Sequence, residues 1–340
     1  MPTSPLSRRH AFFALAMLVA AVVAAVNVTG AGARRHAATT ATTVTINMGT
    51  EPWIGYGPWW IAKAKGFDKA NGINLNMINF TTDADRESAF AGGKTDMSNV
   101  PTHALAKILN AGSRPFKTIL FEDISMTADA MIGPKDITSI KQLKGKKVAF
   151  EAGTTSDILL RYGLMKNGMT IKDIKVVPLA AADAGAALVA GRVNIAVTYE
   201  PYLTAAIQHG KGLHIIYAGA ARPGLISDCL IVSTAFAKAN PAAVVAALKT
   251  WQQAMAYFRS NPADAQKIIA AKVGATPAEL KTSFAGDIIN NTKQSNVFIA
   301  SKLHPLLKDI SVILRSEGVV KGNPNVIGTL DPSYGKKAVG

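Results

Sequence analysis

Chemistry needs particular side chains at particular spacings, and the enzymatic patterns are missing from this sequence. The six histidines, His10, His36, His103, His209, His214 and His304, fall in no H-E-x-x-H or Cys/His metal-ligand spacing, so no metal site is expected. The one cysteine, Cys229 in "SDCLIV", can form no internal disulfide and reads as a small apolar group on a buried strand. There is no phosphate-binding G-x-x-x-x-G-K-[ST] loop and no G-x-S-x-G nucleophile turn. The pair Gly55 and Gly57 lacks the third glycine of a dinucleotide fingerprint. No cofactor is expected.

Four segments have instead the make-up of binding loops. In "EPWIGYGPWW", Trp53, Tyr56, Trp59 and Trp60 crowd around the turn-formers Gly55, Gly57 and Pro58, so they either fill a core or line a site. Adjacent Trp59 and Trp60 on a helix point about 100° apart, which sends at least one into the core and gives Trp53 and Tyr56 the better claim to a ligand. In "EAGTTSDILL" a strand runs through Gly153 into Thr154, Thr155 and Ser156, which open a helix. The free N–H groups and dipole of such a turn suit an anion, and the competing reading is that one hydroxyl merely caps the helix. "TYEPYL" places Tyr199, Glu200 and Tyr202 just past a strand, where open α/β sheets collect their ligands, with a plain surface role for Glu200 equally open. "DMSNVP" puts Ser98 and Asn99 at another strand end before a helix at Pro101, and Asp228 opens a later strand, "SDCLIVS".

These loops need strands to carry them. Short β-type runs at residues 44–49, 73–80, 96–100, 117–122, 146–151, 174–179 and 193–199 alternate with helical patterns such as "PWWIAKAKGF" and "TSDILLRYGLMKNG". Strand, helix, strand in series argues a mostly parallel α/β sheet. After about Asp228 helices dominate; "NPAAVV", "NPADAQ" and "TPAELK" each open with a capping residue before proline, and Thr276 with Glu279 fits a capping box. Trp251 inside this region is expected in the core. The leader "RRHAATTATT" and the tail after Gly318 are the only stretches expected to lie outside packed structure.

The N-terminal residues 1–33 have the three parts of an export signal: basic Arg8 and Arg9, an apolar run to Val26, and "AGA" at Ala31 to Ala33. Arg8 and Arg9 ahead of Phe12 and Phe13 also resemble a twin-arginine signal. The mature chain, about 300 residues, is then expected outside the cytoplasm and large enough for two lobes. The net charge of +15 could attract nucleic acid, an anionic membrane or an anionic solute. Export and the dispersal of the lysines argue against nucleic acid.

Four segments in order, "YGPWWIAKAKGF", "AFAGGKTDMSNVPTHAL", "SIKQLKGKKVAFEAGTTSDILL" and "ALVAGRVNIAVTYEPYL", resemble the substrate-binding proteins of nitrate, sulfonate and taurine type ABC importers. The last departs from the family pattern, with Asn194 for the commoner Asp and Tyr199 for the commoner Trp. The resemblance implies a bilobal type II periplasmic-binding fold. Its first lobe would be residues 44–130 and 228–335, its second lobe residues 131–227, joined by a hinge of two chain crossings after a leader at 34–43. It implies a monomer that closes on a small solute and delivers it to a membrane permease with its cytoplasmic ATPase. Carried onto this chain, the ligand set is Trp53, Tyr56, Trp59, Trp60, Ser98, Asn99, Gly153, Thr154, Thr155, Ser156, Glu200, Tyr202 and Asp228. The hydroxyl-rich helix start favours an anionic head group and the aromatic loop an apolar body, so the expected solute is an aliphatic sulfonate, taurine or nitrate. Glu200 would repel a purely anionic one unless it sat at the rim. The alternatives are a pyrimidine or other heterocycle, or an enzyme resembling thiamine-pyrimidine synthases, which need a lysine and a histidine, or a desulfinase, which needs a cysteine.

Overall fold

A computed structural model describes residues 43–340; the expected export signal and the expected leader through residue 42 lie outside the described residues. The strands are β1 (Val44–Thr50), β2 (Ile73–Asn79), β3 (Met97–Pro101), β4 (Phe116–Ser125), β5 (Asp129–Pro134), β6 (Lys147–Phe150), β7 (Lys175–Pro178), β8 (Ile195–Tyr199), β9 (Leu213–Ala218), β10 (Ser227–Ser233) and β11 (Asp287–Ile289). They form two sheets, one in the order β11-β4-β10-β3-β1-β2 and the other β7-β6-β8-β5-β9.

Neither sheet is mostly parallel. β1 runs parallel to β2 and β3, and β6 runs parallel to β7 and β8, as strand–helix–strand succession dictates. β10 lies antiparallel between β3 and β4, and β5 antiparallel between β8 and β9. The reason is the path of the chain. It leaves the first sheet on β4, enters the second on β5, and comes back through β9 to β10, so each entering strand runs against its host's parallel strands. β10 is buried along its whole length, which is why "SDCLIVS" is nearly continuous in apolar or small residues.

The two crossings are tied to each other. Ala220 N–H donates to Met126 C=O at 2.6 Å, and Ser125 N–H donates to Ile226 C=O at 3.1 Å. Gly286 C=O accepts from the N–H groups of Met126, Thr127 and Ala128. A Cβ added at Gly219 would lie 2.1 Å from the backbone oxygen of Ser125, so only glycine admits this approach.

Helices cover the sheets. The helix Gly57–Lys65, with proline at its first turn and Gly66 in the left-handed conformation at its end, packs against the long helix Pro241–Ser260. There Trp59 meets Trp251 with ring centroids 4.9 Å apart, and both are fully buried. The expected capping by Asn240 and Asn261 is not made: neither side chain accepts a cap hydrogen bond, and the proline that follows each supplies the helical φ instead. Thr276 and Glu279 do form their reciprocal box. The tail after Gly318 is structured, with a bridge from Leu330 to Thr118 and a last helix, Ser333–Val339, packed on Pro241–Ser260. Among the described residues no helix is long and apolar enough to cross a membrane.

Candidate functional site

A cavity of about 220 Å³ opens between the two sheets, beside both crossings. The carboxyl ends of β1, β2 and β3 bring Glu51, Pro52, Trp53, Thr81, Thr82, Asp83 and Pro101 to it. The ends of β6 and β8 bring Glu151, Thr154, Thr155, Tyr199 and Tyr202. The incoming strands supply Asp129, the first residue of β5, and Asp228, the second of β10. Ligands of open α/β sheets collect at strand carboxyl ends, and here two such edges face each other.

Of the residues expected from the sequence, Trp53, Thr154, Thr155, Tyr199, Tyr202 and Asp228 meet in this wall. Tyr56 lies behind it, its hydroxyl donating to Asp228 Oδ1 at 2.7 Å. Trp59 and Trp60 are both core; the Trp59 indole donates to Glu122 Oε1 at 2.7 Å, away from the wall. Ser98 and Asn99 are buried in β3, and Pro101 reaches the cavity in their place, because no helix begins until Ala104. Gly153 takes the left-handed conformation and its carbonyl oxygen faces His103 and Lys107 rather than the cavity. Ser156 is buried one residue into the helix Thr155–Lys166. Glu200 turns away to bind the Thr204 hydroxyl at 2.7 Å and the Thr204 N–H at 3.2 Å.

The helix start at Thr155 is already supplied with carboxylates. Gly153 N–H donates to Asp157 Oδ2 at 2.9 Å, and the Thr154 hydroxyl donates to Glu151 C=O at 2.9 Å rather than capping the helix. The hydroxyls of Thr155 and Ser125 approach Asp129. The anion that this turn attracts is the chain's own.

Sequence reasoning missed Glu51, Asp83, Asp129 and Glu151, all of which line the cavity. Their one legible signal was position, since Glu51 and Glu151 each directly follow a strand. Burial raises several of these acids. Glu51 is pushed up to about 7 by desolvation, with Arg86 working against it. Asp129 rises to about 7 and Asp228 to about 6, again by desolvation, with the Tyr56 hydroxyl holding Asp228 down. Behind the wall Glu122, Asp123 and Asp287 are also raised by burial. The buried guanidinium of Arg86 pairs with Glu51 at 2.6 Å and Asp83 at 2.5 Å. An aromatic run links Trp53 to Tyr199, centroids 5.8 Å apart, and on to Tyr202 at 5.7 Å. The Trp53 indole is anchored on Asp123 Oδ2 at 2.6 Å.

Cys229 is fully buried in β10, its thiol raised by desolvation and held at 3.3 Å from the Thr102 hydroxyl. No lysine or histidine is among the described residues lining the cavity, and no three carboxylate, histidine or cysteine groups among the described residues converge as a metal requires.

The fold is that of the bilobal periplasmic-binding proteins. The structure is similar to the periplasmic aliphatic sulphonate binding protein SsuA from Escherichia coli, with TM-score 0.73 and 20% identity over 84% of this chain and 97% of that one. It is also similar to the periplasmic nitrate-binding protein NrtA from Synechocystis, with TM-score 0.70 and 13% identity over 87% of this chain and 88% of that one. The desulfurization enzyme DSZB shares the fold at TM-score 0.61 and 14% identity, over 87% of this chain and 99% of that one. In sequence, a Brucella abortus protein named only as a candidate binding protein is 25% identical over 234 residues, 65% of this chain and 69% of its own. The profile described as NMT1/THI5 like matches residues 53–265, well over half of the sequence, and the chain belongs to the NMT1/THI5-like family.

Proposed function

We propose that this protein is an extracytoplasmic solute-binding protein that captures a small polar solute between its two lobes and delivers it to the membrane permease of an ABC importer. One observation carries the reading: the cavity is walled by both sheets and lies at both chain crossings, so a bound solute bridges two bodies that share a hinge. Its volume of about 220 Å³ lies below the roughly 300–1,000 Å³ range of drug-sized sites, which suits a small solute. The lobes in this reading are residues 44–128 with 227–340 and residues 129–218, divided where the strands change sheet. Relatives named for sulfonate and nitrate binding support the same class, while the acids lining this chain's cavity oppose the anion that those names suggest.

An enzymatic reading finds less support. The thiol that a desulfinase would need, Cys229, is buried in a strand away from the cavity wall. The lysine that a pyridoxal-dependent synthase would need is not among the described lining residues.

The test is thermal unfolding of the purified chain against amines, sulfonates, nitrate, carboxylates and pyrimidines. A ligand that binds the folded state alone raises the midpoint by mass action and is recovered unchanged. Chemical conversion of a ligand would replace the binding reading with the enzymatic one.

A further inference from the structure

The wall of the cavity carries one sign of charge. Glu51, Asp83, Asp129, Glu151 and Asp228 line it, and no basic side chain is among the described lining residues. Arg86, packed behind the wall, already pairs with Glu51 and Asp83. Asp129 and Asp228 are only 3% and 6% exposed, and neither has an ion-pair partner among the described residues. Near the Asp129 carboxylate are the hydroxyls of Ser125 and Thr155 and the carboxylates of Asp228, Glu200 and Asp287. A buried carboxylate without a counter-charge is costly, and it is relieved either by a proton or by a cation from outside.

The remaining wall suits the second remedy. The linked rings of Trp53, Tyr199 and Tyr202 line the same space, and aromatic rings attract cations most strongly where water is excluded. A metal ion would need several convergent ligands, which the described residues do not offer. An entering anion would instead meet the five wall carboxylates and a guanidinium already engaged by two of them.

We propose that the cleft takes a small organic cation, a protonated amine or amidinium, with Asp129 and Asp228 as its charge partners and Trp53, Tyr199 and Tyr202 as its aromatic wall. This assignment rests on the solute-binding reading above and names the class of its solute. It also fixes the direction of the pH dependence. Asp129 and Asp228, the wall acids proposed as charge partners, hold protons in the empty cleft up to about 6 to 7. A cation must displace those protons, so its affinity rises with pH through that window, while an anion's would fall. Asp83 and Glu151 face the same space, Arg86 pairs behind it, the Tyr56 hydroxyl is committed to Asp228, and the buried acids Asp123 and Asp287 stand behind Asp228 and Asp129.

Calorimetric titration of the purified chain with n-propylammonium, acetamidinium, propanesulfonate, nitrate and uracil tests the proposal. The expected result is saturable binding of a cationic probe that tightens between about pH 5.5 and about pH 7.5. Asp129→Asn and Asp228→Asn each weaken that binding at least about tenfold, while thermal unfolding without ligand shows that both variants fold. Asp309→Asn, altered in its ion pair with Arg222 away from the wall, binds as the parent does. Saturable binding of propanesulfonate, nitrate or uracil but of neither cation overturns the cation assignment and leaves solute binding standing. Undiminished cation binding by both Asn variants also overturns it. Binding of no probe at all overturns both readings together.

Discussion

At the scale of single residues, the site depends on polar groups that hold each other in place with little water. Tyr56 illustrates this: its hydroxyl is the donor to Asp228 Oδ1, and both groups are buried. Tyr56→Phe keeps the ring and removes the donor, leaving a buried carboxylate oxygen unsatisfied. The expected cost is about 1–3 kcal/mol, read from the urea midpoint. An unchanged midpoint would mean that Asp228 finds another donor. Trp53 links core to ligand wall, since its indole N–H is anchored on Asp123 while its ring meets Tyr199. Trp53→Ala is expected to weaken solute binding more than it alters the melting midpoint, and equal binding by the variant would remove the ring from the site.

At the scale of elements, two features keep the site in register. One is the seam between the helices Gly57–Lys65 and Pro241–Ser260, where Trp251 packs on Trp59 and donates to Asn290 C=O at 2.8 Å. Trp251→Ala opens a large cavity and is expected to cost about 3–5 kcal/mol of stability by denaturant unfolding. The other is the contact between the crossings at Gly219. Gly219→Ala forces a methyl group against the Ser125 carbonyl oxygen, which belongs to backbone and can yield only if the crossing moves. The expected outcome is a loss of about 1–3 kcal/mol together with weaker ligand binding. Small-angle scattering that shows the same ligand-induced compaction in variant and parent would contradict a hinge at this point.

At the scale of the whole molecule, charge and fold act in opposite directions. The chain is basic overall, at +15, yet its central cavity is acidic. Asp129 and Asp228, which have no ion-pair partner among the described residues, are raised above ordinary carboxylate values, so between about pH 4 and about pH 7 the folded state holds protons that the unfolded chain has released. Their stabilising contribution is complete at the low end and is lost as pH rises through the folded values. His103, lowered to about 3 by burial, acts against them, because the unfolded chain takes up its proton below about 6.5. Two carboxylates outweigh one histidine, so the melting midpoint of the ligand-free protein is expected to be higher at about pH 5.5 than at about pH 7.5. A midpoint that rises with pH would show that these acids are ionised in the folded state.

Local rules made much of this protein legible in the sequence. Alternating strands and helices, proline-led helix starts and the glycine turn at Gly153 depend on neighbours a few residues away, and they appear close to where the sequence places them. β5, β9 and β11 were missed. Only Met126 to Ala128 separate β4 from β5, and no turn signal marks the junction because the chain passes from one sheet to the other. The sequence also identified an aromatic loop and a hydroxyl-rich helix start as candidate ligand groups. It could not show that Trp59 and Trp60 would be spent on the core, or that Asp129 and Asp157 would occupy the helix start. Five acids scattered from Glu51 to Asp228 become one wall only when two crossings bring two sheet edges face to face. Elements follow from short-range periodicity and backbone preference, whereas the sign of the cavity's charge depends on contacts between distant residues, which only the tertiary structure decided.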